Sequence, residues 1–234
     1  MRTAAILPVK RFALAKSRLG ASVADGLRGQ LARAMVADVL GALAQAAAVD
    51  RTYVVTCEPS LTQIAREHGA VLVPDDDELG QSAAVTLGVR RALADGVERV
   101  LCIPGDCPAL DPYELDALLA GDAAGASGAD GAAQVVIVPD RHGTGTNGLL
   151  LCPPDAIAPS FGPDSCARHR ELALAAGVGA RVLRPPSLLL DIDTGADLAA
   201  LRERLDASDA PAAHTRALLG QPERANIVSV ANGD

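Results

Sequence analysis

Aromatic residues and lysine are scarce in this 234-residue chain. It contains two Phe, two Tyr and no Trp, so it lacks the aromatic side chains on which proteins stack single-stranded nucleic acid. The formal net charge is −8 at pH 7, which excludes the basic surface of a DNA-binding protein. No apolar run approaches the roughly 18 residues that a membrane-spanning helix needs. We therefore expect neither nucleic acid nor a membrane as a partner.

Cysteine is also sparse, and its spacing excludes two kinds of site. The five cysteines form an odd set without a CxxC pair, which predicts neither structural disulfides nor a structural zinc site. Lys10 and Arg11 interrupt the apolar stretch near the N-terminus and no cleavage-type site follows, so we predict no secretory leader. These features are typical of a reduced, cytoplasmic protein.

Short apolar segments alternate with longer helical patterns along the chain. Several apolar segments, such as AAILPV and QVVIVP, are continuous rather than alternating, which is typical of strands buried on both faces. We predict strands over residues 3–9, 51–57, 70–74, 99–104, 134–139, 148–152, 181–184 and 188–192. We predict helices over residues 26–48, 60–68, 81–95, 112–120, 163–176 and 195–205. This alternation predicts an α/β fold, a single-domain three-layer sandwich with a mostly parallel, Rossmann-like sheet.

Two segments differ in composition from the rest. Residues 121–133 (GDAAGASGADGAA) consist of small residues and are typical of a flexible loop. From residue 207 the chain is polar and contains prolines, with one weak helical pattern near 212–219. We therefore assign residues 1–206 to one domain and expect the tail, 207–234, to be partly disordered or extended.

Residues that follow strands carry the functional signal, because ligands of open α/β sheets bind at the carboxyl ends of the strands. Both lysines of the chain, Lys10 and Lys16, follow the first strand, together with Arg11 and Arg18. Cations and backbone amides in such a loop can bind phosphate oxygens. A solvated basic loop is the simpler interpretation, but the position of these cations at the carboxyl end of a strand in an acidic protein favours anion binding. The loop is not a Walker motif, because GxxxxGK[ST] is absent from the chain.

Carboxylates also follow predicted strands. Asp106 lies in PGDCP after the fourth strand, and Asp191 and Asp193 lie in DIDTG at the end of the last one. Carboxylates at strand ends can hold Mg²⁺ through one or two direct ligands, with substrate phosphates and waters completing the shell. Turn formation by Asp106, and capping of the following helix by Asp193 or Thr194, are the simpler alternatives.

Two segments that contain glycine remain. GTGTNG at 143–148 matches GxGxxG, but a strand rather than a helix follows, so we reject a Rossmann nucleotide site. A tight turn between two strands is expected there, and Thr146 can still contact a ligand. FGPDSC begins a helix at which Gly162 and Ser165 can bind a phosphate or carboxylate, unless Asp164 or Ser165 only caps it.

Hydrolase chemistry is not indicated. His142 and His169 have no obvious nucleophile as a partner, and the chain contains neither GxSxG nor HExxH.

Six segments resemble, in this order, the motifs of one enzyme family. The segments are PVKRFALAKSRLG, GQSAAVTLGVRRAL, PGDCPAL, GTNGLLL, FGPDSCARH and DIDTGADL. They are similar to the 2-phospho-L-lactate/phosphoenolpyruvate guanylyltransferases of coenzyme F420 biosynthesis, which belong to the MobA-like nucleotidyltransferases. The resemblance covers residues 3–205. It implies a nucleotidyltransferase-type fold and Mg²⁺-dependent transfer of GMP from GTP to a three-carbon phospho-acid, with release of pyrophosphate. It also implies hand-over of an unstable product to the next enzyme.

The resemblance implies roles for particular residues. It assigns catalysis to Lys10, Lys16, Arg18 and Asp106, and nucleotide binding to Pro8, Lys10, Lys16, Gln81 and Ser82. It assigns the acceptor acid to Thr146, Gly162 and Ser165, and Mg²⁺ to Asp106, Asp191 and Asp193. The family usually reads Gly-Leu-Asn where this chain has Gly80-Gln81-Ser82, which leaves the choice of base open.

Phosphoenolpyruvate is the expected acceptor, while 2-phospho-L-lactate and 3-phosphoglycerate stay open. Two other interpretations also stay open. The first is a molybdenum-cofactor or sugar-phosphate nucleotidyltransferase of the same fold, whose glycine-rich first loop with a GxG turn is absent from PVKRFALAKSRLG. The second is a non-catalytic nucleotide-binding regulatory module, against which the retained lysines and aspartates argue.

Overall fold

A computed structural model describes residues 1–14, 19, 23, 25–124, 133–207 and 211–220. Its strands are β1 Thr3–Val9, β2 Arg51–Thr56, β3 Val71–Pro74, β4 Arg99–Cys102, β5 Gln134–Pro139, β6 Thr146–Cys152 and β7 Gly179–Val182. Its helices are α1 Asp25–Gln45, α2 Leu61–Glu67, α3 Gln81–Ala94, α4 Pro112–Ala124, α5 Ser165–Ala175, α6 Gly195–Ala207 and α7 Ala213–Leu219. Short 3-10 turns lie at Phe12–Leu14 and Pro186–Leu188.

The strands form one seven-stranded sheet in the order β3-β2-β1-β4-β6-β5-β7. β6 runs antiparallel to both of its neighbours, β4 and β5, and every other pair is parallel. The sequence prediction of an α/β fold with a mostly parallel sheet is therefore confirmed. Because β6 runs the other way, its first residues lie at the same edge as the carboxyl ends of the parallel strands.

Helices cover both faces of the sheet, which explains why the strands are continuously apolar. In β1, Ala5 and Leu7 pack with α1, α2 and α4 on one face, while Ala4 and Ile6 pack with α3 on the other. α5 joins α3 on that second face. The alternation of side chains along a strand therefore buries both sets in the predicted three-layer sandwich.

Gly88 lets α3 approach β1 closely. A Cβ atom at this position would lie 2.5 Å from Cγ2 of Ile6 and 3.1 Å from Cγ2 of Val55. Ile6 is fully buried, so its branched side chain has no free space to move into. Glycine at this point of the helix thus sets the distance between the helix layer and the sheet.

One predicted strand is wrong. The described residues 188–192 do not form a strand, although Leu188 and Ile192 are fully buried. Their backbone groups bond to loops instead, because the Leu188 carbonyl accepts from the Asn147 side chain and the Ile192 amide donates to the Asp106 carbonyl. The apolar run therefore predicted the burial of Leu188 and Ile192 correctly, but its prediction of a strand in the sheet was wrong.

The segment after residue 207 includes α7, which packs across α1. The backbone amides of His214 and Thr215, at the start of α7, donate to the Asp38 carboxylate over 2.9 and 2.8 Å. A helix near 212–219 was predicted and is confirmed, whereas the division at residue 206 stays a prediction. Every helix that the structure describes is too short or too polar to cross a bilayer.

Candidate functional site

The loop after β1 is tied to the loops that follow β2 and β3. Lys10 follows the strand and is exposed. The Phe12 amide donates to Glu58 over 2.9 Å, and Arg11 pairs with Glu78 at 3.0 Å. These bonds position the first half of the loop at the carboxyl edge of the sheet. The predicted phosphate-binding residues Lys16 and Arg18 lie outside the described residues.

The two predicted nucleoside contacts open α3. Gly80 precedes the helix with φ 102°, a left-handed conformation that glycine adopts readily. Gln81 and Ser82 begin the helix, and Ser82 Oγ accepts a hydrogen bond from the Phe161 amide over 2.8 Å. This bond brings the predicted nucleotide segment beside the predicted acceptor segment.

The three predicted acceptor contacts lie together where α5 meets β6. Ser165 is buried at the start of α5, and its amide donates to the Gly162 carbonyl over 3.1 Å. The Cys166 amide donates to the Thr144 carbonyl, which ties the helix start to the residues just before β6. Among the described residues Asp164 precedes α5 with φ 56°, and its side chain does not cap the helix. The capping alternative for Asp164 is therefore wrong.

His169 joins these acceptor residues, and sequence reasoning missed it. Its ring is fully buried, with Nδ1 3.1 Å from Thr146 Oγ1 and Nε2 accepting from the Ser160 amide over 2.9 Å. Burial, and then the charge of Arg168, lower the pKa of His169 to about 4. The ring is therefore neutral near pH 7. Its spacing of four residues from Ser165 along α5 was the available signal.

Arg168 fixes the loop before α5. Its guanidinium donates to Ser160 Oγ over 3.1 Å and to the carbonyls of Ser160 and Pro163 over 3.2 and 2.5 Å. Gly162 lies within this loop with φ 115°. These hydrogen bonds restrain the predicted acceptor loop, and no sequence pattern distinguished Arg168 from other arginines.

The carboxylates of the three predicted metal ligands, Asp106, Asp191 and Asp193, lie close enough to interact electrostatically. Burial raises the pKa of Asp191, and the nearby carboxylates of Asp106 and Asp193 raise it further. The Ile192 amide donates to the Asp106 carbonyl over 3.1 Å, which joins the two loops that carry these carboxylates. A bound cation would offset the mutual repulsion of the carboxylates.

Only a partial ligand set is formed by protein side chains. Within the described ranges, no group of three or more His, Cys, Asp and Glu side chains is arranged to hold a metal ion. Mg²⁺ usually takes one or two carboxylates and completes its shell with water and substrate phosphates. The donor set therefore fits Mg²⁺ bound together with a nucleotide better than a cation bound by the protein alone.

Asn147 holds one of these carboxylates and was also missed. Its Nδ2 donates to Asp191 Oδ1 over 3.1 Å and to the Leu188 carbonyl over 2.9 Å. Pro139 pairs with Thr146 while Val138 pairs with Gly148, so Asn147 is an extra residue in β6, a β-bulge. Bulges re-aim side chains beside functional sites. Here Thr146 contacts His169 of α5, while the next residue, Asn147, contacts the Asp191 carboxylate.

The turn that carries the last aspartates is held by Asp197. Its Oδ2 accepts from the amides of Asp193 and Thr194 over 3.1 and 2.7 Å, and its other oxygen pairs with Arg141. Thr194 Oγ1 accepts from the Asp197 amide at 3.3 Å. Thr194 therefore caps α6, as one of the alternatives predicted.

Comparison with known proteins gives a consistent picture. The sequence model of a family described as "Guanylyl transferase CofC like" matches residues 3–207. A phosphoenolpyruvate guanylyltransferase of Conexibacter woesei is 51% identical over 226 residues, covering 97% of this chain and 99% of the relative. One of Sphaerobacter thermophilus is 38% identical over 85% of this chain and 91% of the relative.

Solved structures agree on the fold. A crystal structure from Desulfovibrio desulfuricans G20 has a TM-score of 0.75 at 20% identity and covers 97% of both chains. A nucleotidyl transferase from Methanothermobacter has a TM-score of 0.60 at 23% identity, covering 88% of this chain and 99% of that one. At this identity the two structures establish the architecture alone.

Proposed function

Because the chain belongs to the CofC-like guanylyl transferase family, we propose that it transfers GMP from GTP to the phosphate of phosphoenolpyruvate and releases pyrophosphate. We further propose that the reaction depends on Mg²⁺ and serves coenzyme F420 biosynthesis. One structural observation supports the proposal most strongly. His169 of α5, the helix that follows the loop predicted to bind the acceptor, contacts Thr146 at the start of β6, and the Asp191 carboxylate contacts the next residue, Asn147.

In the proposed reaction, the acceptor phosphate attacks GTP directly, without a covalent intermediate on the protein. A phosphate oxygen of the acceptor forms a bond to the α-phosphorus of GTP, the bond from that phosphorus to the bridging oxygen breaks, and pyrophosphate leaves with the electron pair. The acceptor phosphate is already ionised near neutral pH, so the protein need not supply a nucleophile. Burial raises the pKa of the Cys102 and Cys166 thiols, which are poor nucleophiles in this state.

The residues of the chain then have to position two polyanions and neutralise their charge. Gly162, Ser165 and Thr146 would hold the acceptor acid, and Lys10 would contact the phosphates of GTP. Asp106 and Asp191, with Asp193, would hold Mg²⁺. When bound, Mg²⁺ would neutralise charge on the phosphates and on the departing pyrophosphate.

Phosphoenolpyruvate is proposed over 2-phospho-L-lactate and 3-phosphoglycerate on the strength of the relatives. The Conexibacter woesei protein, whose name specifies this acceptor, aligns along almost the whole of both chains. GTP is proposed over other nucleotides on the same ground, although this chain has Gln81-Ser82 where the family usually has Leu-Asn. We expect thermal-shift measurements to rank GTP above CTP and UTP, and the reverse order would favour a sugar-phosphate or molybdenum-cofactor nucleotidyltransferase.

The direct test is an acceptor panel. The protein is incubated with Mg²⁺, GTP and each of the three acids, and pyrophosphate is measured, with the next enzyme of the pathway present to consume an unstable product. We expect phosphoenolpyruvate to give the fastest release. Lack of turnover with every acid would refute the proposal.

A matched pair of variants tests the metal assignment in the same assay. Asp106→Asn should lower turnover by at least about 100-fold, because lost charge stabilisation of the transition state is worth several kcal/mol. Asp155→Asn removes an exposed carboxylate after β6, at the opposite edge of the sheet, and should leave turnover unchanged. Equal activity of the two variants would refute a metal role for Asp106.

A further inference from the structure

The acceptor side of the site contains a buried hydrogen-bond chain that the proposed reaction does not yet use. It runs from the Ser160 amide through the imidazole of His169 to the hydroxyl of Thr146. We infer that His169 is a positioning residue, whose Nδ1–H donates to Thr146 Oγ1 and so turns the hydroxyl hydrogen of Thr146 toward the acceptor acid. The inference rests on the proposed function.

The hydrogen bond from Ser160 determines which group donates in each of the two bonds. A backbone amide can only donate, so Nε2 of His169 accepts at 2.9 Å from Ser160 and carries no hydrogen. A neutral imidazole then has its single hydrogen on Nδ1. The 3.1 Å contact with Thr146 is therefore a bond from the ring to the hydroxyl oxygen. The hydroxyl keeps its own hydrogen, which points away from His169 and can be donated to an anion.

Burial keeps this arrangement in place. His169 is fully buried and Thr146 is 7% exposed, so little water competes for the contact. Phe161 packs its ring edge-on against His169, with ring centroids 5.2 Å apart, which prevents the imidazole from turning. Near pH 7 the ring stays neutral, because burial lowers its pKa to about 4. A protonated ring would lose the bond from Ser160, because Nε2 could no longer accept.

A purely structural role makes a different prediction. If His169 only links α5 to the loop before it, then the bond from Ser160 matters and the bond to Thr146 does not. Two substitutions separate the bonds, since an Asn side chain reaches the Nδ1 position and a Gln side chain reaches the Nε2 position. His169→Asn keeps a donor for Thr146, whereas His169→Gln keeps only the acceptor for the Ser160 amide.

Steady-state kinetics of the full chain with GTP and phosphoenolpyruvate provide the test. Loss of one oriented hydrogen bond to an anion should raise the KM for phosphoenolpyruvate about tenfold in His169→Gln, with the KM for GTP changed less than about twofold. His169→Asn should partly rescue the KM for the acid. His214→Gln, which changes an exposed histidine on α7, is the matched control and should behave as wild type.

A double-mutant cycle shows whether His169 acts through Thr146. Thr146→Val removes the hydroxyl, and adding His169→Gln to it should raise the KM for the acid no further. Independent, multiplying effects would overturn the inference, as would an acid KM in His169→Asn equal to or above that in His169→Gln. If wild type is inactive with every acid, the proposed function fails and the inference fails with it, whereas an active wild type with independent effects overturns the inference alone.

A measurement on the unmodified protein needs no variant to fold. Nitrogen-15 NMR of the imidazole side chains distinguishes protonated from unprotonated ring nitrogens. We expect His169 to show a protonated Nδ1 and an unprotonated Nε2 at pH 7. A ring with its hydrogen on Nε2, or with hydrogens on both nitrogens, would overturn the inference.

Discussion

Replacing Asn147 with alanine should strongly lower Mg²⁺-dependent turnover, while the protein stays folded. The substitution removes two hydrogen bonds, at 3.1 Å to the Asp191 carboxylate and at 2.9 Å to the Leu188 carbonyl. A hydrogen bond to a charged group is worth about 1.5–3 kcal/mol and one to a neutral group about 0.5–1.5 kcal/mol. The free energy of unfolding should therefore fall by about 2–4.5 kcal/mol, which a domain of ordinary stability tolerates.

The effect on turnover follows from the first of these bonds. Without its donor from Asn147, the Asp191 carboxylate loses both an anchor and a contact that lowers its pKa. If the bond's about 1.5–3 kcal/mol is expressed in the transition state, turnover falls by about 10- to 150-fold at fixed Mg²⁺. We also expect the Mg²⁺ concentration for half-maximal rate to rise. Both quantities come from pyrophosphate release measured over a Mg²⁺ titration.

Asp38→Ala is the matched control for this prediction. It also removes two hydrogen bonds, one buried and one partly buried, from the start of α7 to the Asp38 carboxylate, at a place remote from the site. It should lower the free energy of unfolding, measured by urea unfolding, by at least as much as Asn147→Ala does, and leave the Mg²⁺ titration unchanged. If Asn147→Ala and Asp38→Ala give the same Mg²⁺ titration, the reasoning about Asn147 is refuted.

Two further predictions concern stability. Gly88→Ala should lower the free energy of unfolding by about 2 kcal/mol, because overpacking against Ile6 outweighs the gain of about 1 kcal/mol in helix propensity. Gly121→Ala, in a helix with open space around the new Cβ, should instead raise it by up to about 1 kcal/mol. Urea unfolding checks both variants, and a shift of the same sign in the two would contradict the packing argument. His169 has a pKa of about 4 when folded against 6.5 when unfolded, so between these values the unfolded chain binds the proton and stability falls as the pH falls. The imidazole of His169 should account for at most about 3 kcal/mol of that fall. Between pH 7 and 4.5, the free energy of unfolding of His169→Asn should therefore fall less than that of wild type. An equal fall in the two proteins would contradict the lowered pKa.

The architecture could be predicted from the sequence because strands that are buried on both faces have continuously apolar sequences. β1 and β5 are continuously apolar, and both were predicted at their observed bounds. The same apolar pattern was misleading at residues 188–192, which are buried as a packed loop rather than as a strand. Composition reports how buried a segment is, but the partner of its backbone groups depends on the whole fold.

The candidate site was only partly predictable for a related reason. Asp106 could be proposed because it follows a strand, and the position of a strand end is a local property. Thr146 was predicted in the turn before a strand and begins β6, whereas Asp191 was proposed from a strand at 188–192 that the structure does not contain. Asn147 and His169 contact partners 44 and 23 residues away, so local spacing could place His169 on the same face of α5 as Ser165 but could not reveal its contact with Thr146. The bulge that re-aims Asn147 depends on how β6 pairs with β5, so it too becomes visible only in the assembled sheet.

The two residues at the start of β6, Thr146 and Asn147, also limit how far the two halves of the site can separate. Thr146 and Asn147 are consecutive, so their Cα atoms are separated by the fixed distance of about 3.8 Å across one peptide bond. The Thr146 hydroxyl, which we propose faces the acceptor, and the Asn147 amide, which holds the Asp191 carboxylate, are therefore joined by covalent geometry at the start of a strand that pairs with β5 at Thr146 and with β4 from Leu149 onward. Loop movements elsewhere cannot change this spacing, so in the proposed reaction this part of the alignment of the reactants would require no ordering when the substrates bind.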